Sequence, residues 1–265
     1  MKRFFLYAMV AAGVLASCSQ SENEGVPGNE PVDLTPSADA ILLSAAAPSV
    51  TVNATRSAGT IGGDGAVISN EWSGQKLYIY ACQKDSKTGV TMSDRIADLN
   101  TYALRDEEGT VGTDEQISGV KWKNDESRYF PRSGAYDFFG YYGDDAVTGE
   151  ARSEAMNGTN VLYKSFVING SQDLMIAKAE LSEADKAKLD AEDINKAYSS
   201  YTARREVQPS MKFEHLLTRL VFNIKGMGSS KPENVYVQSI KVKSKTTGKL
   251  VFVYAADANK GIKWD

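Results

Sequence analysis

From Ile41 onward, apolar and polar residues alternate in short runs broken by Gly, Asn and Asp. A repeat of two sends successive side chains to opposite faces, so each such run predicts a strand. The first covers residues 41–55 and includes "SVTVNAT", with Val50 and Val52 on one face. In "QKLYIYAC", Leu77, Ile79 and Ala81 share one face and Tyr78 and Tyr80 the other. "SGVKWKNDESRYFPRSGAYDFFGYYG" predicts a strand around Trp122, a polar turn, and an aromatic strand over 136–142. "NVLYKSFVING", "MKFEHLL", "RLVFNIK", "NVYVQSIKVKS" and "KLVFVYAA" continue the style, whereas "RDEEGT" (105–110) reads as a polar loop. About ten short strands with turn punctuation predict an all-β sandwich.

Two places depart from this pattern. Between 173 and 206, Ser182 stands three residues before Asp185 as an N-cap would, ahead of good helix formers. Leu181, Ala184, Leu189 and Ile194 supply only a thin apolar stripe, so one short, exposed helical insertion is expected. In "MKFEHLLTRLVFNIK", apolar residues hold odd positions at Met211 and Phe213, then even positions at Leu220, Phe222 and Ile224. A phase flip between Leu216 and Arg219 predicts a bulge or corner. His215, the only histidine, precedes it, and its ring is expected to hydrogen-bond locally and fix the corner.

The first eighteen residues read as an export signal. Lys2 and Arg3 precede an apolar run too short to span a bilayer, the layout of a secretory signal peptide over 1–17. The run ends in "LASC", which resembles the lipobox of bacterial lipoproteins and implies acylation at Cys18. Lipid chains there would hold the protein on a membrane through roughly 0.8 kcal/mol per buried methylene. Residues 18–40 hold three prolines and no aromatic residue, so they form a flexible tether. Its acidic start, "SQSENE", resembles the signal that sends some lipoproteins through the outer membrane to the cell surface. A β-sandwich domain is expected over 41–225, and the start of a second, incomplete one over 226–265.

Composition removes most chemistry. Without Cys18, Cys82 is the only cysteine, so no internal disulfide forms, and its place in a strand suits a small core residue. One histidine and one thiol cannot build the usual zinc sets, and no G-x-S-x-G elbow is present. "KSKTTGKL" fails as a phosphate loop because Lys243 holds the first glycine's place and Leu250 that of Ser or Thr. Neither a cofactor nor a metal is expected, and no enzyme. Residues 203–265 carry 12 basic and 5 acidic side chains after an acidic body, but an exported lipoprotein is not expected to meet nucleic acid. Asp144 and Asp145 beside Tyr141 and Tyr142 suggest either a glycan or calcium contact or a solvated hairpin tip.

The ordered set "VTVNATRSAGT", "WSGQKLYIYA", "RYFPRSGAYDFFGYYG", "QDLMIAKA" and "KFEHLLTRLVFNIK" resembles the fimbrillin family, Mfa-like lipoproteins that include type V pilin subunits. Its most diagnostic piece, F-x-H-x-L-x-[KR]-L-x-F-x-I, is met by Phe213, His215, Leu217, Arg219, Leu220, Phe222 and Ile224. "YFP" at 129–131 and "DLM" at 173–175 match in order. The resemblance implies a transthyretin-like β-sandwich, commonly in tandem, displayed on the outer membrane as a fimbrial subunit. In polymerising members a protease cuts after an arginine behind the first strand, and a donor strand from the next subunit fills the opened groove. Here Arg56 takes that place, before the flexible stretch "SAGTIGGDG". The chain ends at "GIKWD", where the family continues to its donor strand, which leaves anchoring or capping roles open beside polymerisation. A stand-alone lipoprotein that binds a host ligand or glycan is the other reading, and it needs Tyr141, Tyr142, Asp144 and Asp145 exposed together.

Overall fold

The computed structural model describes residues 38–46, 72–112, 119–218, 220, 222 and 237–265. Its strands are β1 (Ser44–Ala46), β2 (Lys76–Lys84), β3 (Leu104–Val111), β4 (Val120–Trp122), β5 (Ala135–Tyr142) and β6 (Val147–Met156). Then come β7 (Thr159–Val167), β8 (Met175–Lys178), β9 (Ser210–Lys212), β10 (Glu214–His215), β11 (Thr247–Tyr254) and β12 (Gly261–Trp264). One sheet runs β10-β8-β5-β2-β3-β4 and a second β12-β11-β7-β6, each antiparallel throughout, while β1 and β9 form a parallel pair. This is an all-β sandwich, as the alternating runs predict.

The period-two reading of β2 holds residue by residue. Leu77, Ile79 and Ala81 enter one buried cluster with Ile41, Leu43, Phe138, Met211 and Phe213. Tyr80 and Cys82 enter another with Phe139, Tyr141, Leu162 and Phe252. The second cluster is the filling between the sheets: the Phe252 ring lies 4.8 Å from both Tyr80 and Tyr141. The six-stranded sheet is thus buried on both faces, and all eight residues of β5 are buried. On its outer face Gly140 is closely packed: a Cβ there would sit 2.9 Å from Met211 Cε and 3.0 Å from Ile79 Cδ1, so those side-chain ends would have to shift.

Three expectations need correction. Residues 247–264, expected to belong to a second domain from 226, are part of this sandwich: β11 pairs with β7 from Thr247↔Val167 to Tyr254↔Val161. The reason is apolar complementarity, since Leu250 and Phe252 fill the space facing Tyr80 and Tyr141. "RDEEGT" is not a loop but most of β3, and its acids are paired across the sheet. Glu107 meets Arg128, Glu108 meets Lys76 and Lys123, and Asp106 meets Lys164. "NVYVQSIKVKS" contains no strand among its described residues, with Val237, Ile240 and Val242 exposed, while "RLVFNIK" lies mostly outside the described residues, its Leu220 and Phe222 being exposed.

The helical insertion is present as two single turns, α1 (Glu183–Lys186) and α2 (Ser200–Ala203), joined by a 3-10 turn. Ser182 caps the first, accepting from the Asp185 amide at 3.0 Å. A full capping box, Ser199 with Thr202, starts the second.

The phase change near His215 falls after Leu216, within the stretch the alternation implies. Met211, Glu214, His215 and Leu216 lie in one antiparallel register against Ala179, Ile176, Met175 and Leu174, while β9 also pairs with β1. Met211 and Phe213 enter the outer cluster, whereas Leu216 and Leu217 pack on the cluster between the sheets. Leu216 takes its face by plain alternation, and Leu217, on the same side, breaks it. The His215 side chain is only 10% exposed, and Nδ1 lies 2.6 Å from Asp173 Oδ2. A ring bonded to the residue that opens "DLM" lies just before this change, as expected of a fold marker.

Candidate functional site: a cleft that holds one strand

Residues 39–46 lie against the outer face of the six-stranded sheet. Ile41 and Leu43 are 1% and 0% exposed, and with partly buried Ala45 they project into the outer cluster at alternate positions. Burial of two such side chains contributes roughly 3–6 kcal/mol. The strand was legible as an apolar run; how it is held was not.

Its backbone is bonded piecemeal. Near the start, the Phe130 amide donates to Asp39 O at 2.9 Å and the Ile41 amide to Arg128 O at 2.7 Å. Farther on, the Ser44 amide donates to Pro209 O at 3.1 Å, where the parallel pairing with β9 begins. Side chains supply the rest. Gln208 acts as a surrogate strand: its Nε2 donates to Ala40 O at 3.0 Å, and its Oε1 accepts from the Leu42 amide at 3.2 Å. The indoles of Trp122 and Trp72 donate to Ile41 O at 3.1 Å and to Ala45 O at 3.0 Å.

An ion pair closes the outer end. Arg204 donates from Nε and Nη2 to the two Asp39 oxygens at 2.8 and 2.9 Å. Its hydrogen bond holds the Asp39 carboxyl below the ordinary carboxylate value. The capping box of α2 sets the position of this arginine at the helix C-cap. The next residue, Arg205, is turned away onto the Tyr201 ring, 3.6 Å from its centroid.

The chemistry elsewhere is structural. Asp137 on β5 is buried between Lys84 of β2 and Lys178 of β8, each 3.3 Å away, and accepts from Thr91. Burial holds the Lys84 ammonium below its ordinary pKa, despite the carboxylate beside it. The Cys82 thiol is buried, and burial pushes its pKa up to about 12, so it stays an inert thiol. Tyr141 and Tyr142 are buried in different clusters on opposite faces of β5. They cannot form a sugar platform with Asp144 and Asp145, which are exposed at the hairpin tip. Among the described residues no group of three His, Cys, Asp or Glu side chains is placed to hold a metal. Among them, too, no helix is long and apolar enough to cross a membrane. Cys18 and Arg56 lie outside the described residues.

Searches of curated proteins and of solved structures returned no match. The fimbrillin-like family model matches residues 65–261, from ahead of β2 to the first residue of β12. The match begins after residues 39–46 and takes in β2 to β11. The chain belongs to the fimbrillin-like family.

Proposed function

We propose that this protein is a non-enzymatic structural subunit of surface fimbriae that assembles by strand replacement. Acylated Cys18 holds it at the outer membrane, a protease cuts behind Arg56, and residues 39–46 leave the body. A strand from a neighbouring subunit then enters the vacated cleft. Main-chain hydrogen bonds supply affinity in such an exchange, and alternate side chains fill pockets.

One observation carries this reading. Ile41 and Leu43 are buried like core, yet four backbone hydrogen bonds of residues 39–46 are made by the side chains of Gln208, Trp122 and Trp72, and others by loop groups. Those partners remain in place for any extended chain. Membership of a fimbrial family supports the same role. The glycan-binding alternative loses its aromatic platform with Tyr141 and Tyr142 buried.

The test is limited digestion of the acylated full chain with an Arg-specific protease, read by mass and size-exclusion chromatography. Loss of the segment through Arg56, followed by assembly that Arg56→Ala prevents, is the expected outcome. A cleaved chain that stays monomeric and accepts no neighbouring strand would contradict it.

A further inference from the structure

We propose that the cleft selects the strand it receives, by direction, by backbone donors and by an acid-x-aliphatic-x-aliphatic pattern. This rests on the strand-replacement reading above and specifies the partner. It is an extended segment of another polypeptide, running parallel to β9, with an acidic residue two positions before the first of two pocket-filling aliphatic residues.

The strand now seated provides the template. Its direction is set on both flanks: parallel to β9 through Ser44↔Ser210, and antiparallel to the Arg128–Phe130 stretch through the Ala40↔Tyr129 bridge. A chain entering the other way round would present its carbonyls and amides out of register with the fixed indoles of Trp72 and Trp122. Besides the β1–β9 ladder, three amides are consumed: Ile41 to Arg128 O, Leu42 to Gln208 Oε1, and Ser44 to Pro209 O. Proline has no amide hydrogen, so it is excluded at these three places. Position 42 isolates this requirement best, because Leu42 is only partly buried while Ile41 and Leu43 fill the pockets.

The acid requirement comes from Arg204. Its two-pronged contact with Asp39 sits at the end where an incoming strand would be registered. Planar, two-bond recognition of a carboxylate is what a guanidinium offers and a lone ammonium does not. The pair is largely exposed, so it tunes choice and register more than it supplies affinity.

The experiment uses the full chain after limited Arg-specific cleavage, with labelled peptides followed by fluorescence anisotropy. A peptide copying residues 38–47 is expected to displace the cut segment. Replacing Leu42 by Pro is expected to weaken binding at least roughly tenfold, through one lost bond and the unpaired Gln208 oxygen. Replacing Leu43 by Asp is expected to abolish it. Replacing Asp39 by Lys is expected to weaken it roughly fivefold, and Arg204→Glu in the protein should restore that peptide's binding. If the Pro, Asp and Lys peptides all bind like the template, selection is wrong while strand replacement stands. If the template itself fails to enter, both fall.

Discussion

Two buried strands in this protein, β5 and residues 39–46, differ in what holds their backbones. Phe138 on β5 and Leu43 on the held strand are both 0% exposed and sit in the same cluster. β5, however, is flanked by continuous main-chain ladders to β2 and β8, and the Lys84–Asp137–Lys178 cluster ties those three strands together. Residues 39–46 have only a short parallel ladder to β9, with loop carbonyls and three side chains in place of a second neighbour. Equal burial therefore does not mean equal permanence. A ladder is lost only when its neighbours separate, whereas a strand bonded to fixed side chains can leave a body that stays folded.

Substitutions sharpen this difference. Phe138→Ala in β5 should cost about 3–5 kcal/mol in chemical denaturation, with the whole sandwich melting together. Leu43→Ala should cost about 2–5 kcal/mol, and hydrogen exchange should show the loss concentrated at residues 39–46. Gln208→Ala strands the Leu42 amide and the Ala40 carbonyl at once, so about 1–3 kcal/mol is expected, again local to the cleft. Equal loosening of β5 by Gln208→Ala would break the comparison.

The smallest effect is one of pH. Arg204 holds Asp39 below its ordinary value, so the native state favours the ionised form more than the unfolded chain does. That contribution is present above the ordinary value of 3.8 and is lost as pH falls through the lower folded value. Exchange at 39–46 should therefore quicken on acidification, beyond any change in β5. Subtracting the profile of Arg204→Ala isolates the effect, and identical profiles for the two proteins would remove it.

The legible parts of the fold are those in which a local repeat carries the signal. Leu77, Ile79 and Ala81 against Tyr78 and Tyr80 declare a strand buried on both sides, and the structure places them so. The fimbrillin resemblance was legible in ordered motifs, two of which meet when His215 bonds Asp173. β3 was not, because its acids look solvated until the cations of other strands come alongside. Val237, Ile240 and Val242 are exposed and lie in no strand among the described residues, so alternation by itself does not specify one. In the cleft, Ile41 and Leu43 could be read as apolar pegs. Gln208 could not be read as their clamp, because it lies 166 residues from Leu42 and bonds the backbone, whose sequence carries no mark of it.

Native-state hydrogen exchange on the intact chain, followed by mass spectrometry across a series of denaturant concentrations, tests the central claim most directly. Amides of Ile41, Leu42 and Ser44 should exchange through a local opening well below the global unfolding free energy, while those of β5 exchange only through global unfolding. If both segments exchange at the same free energy, through the same cooperative transition, residues 39–46 are a permanent part of the sandwich and the account is contradicted.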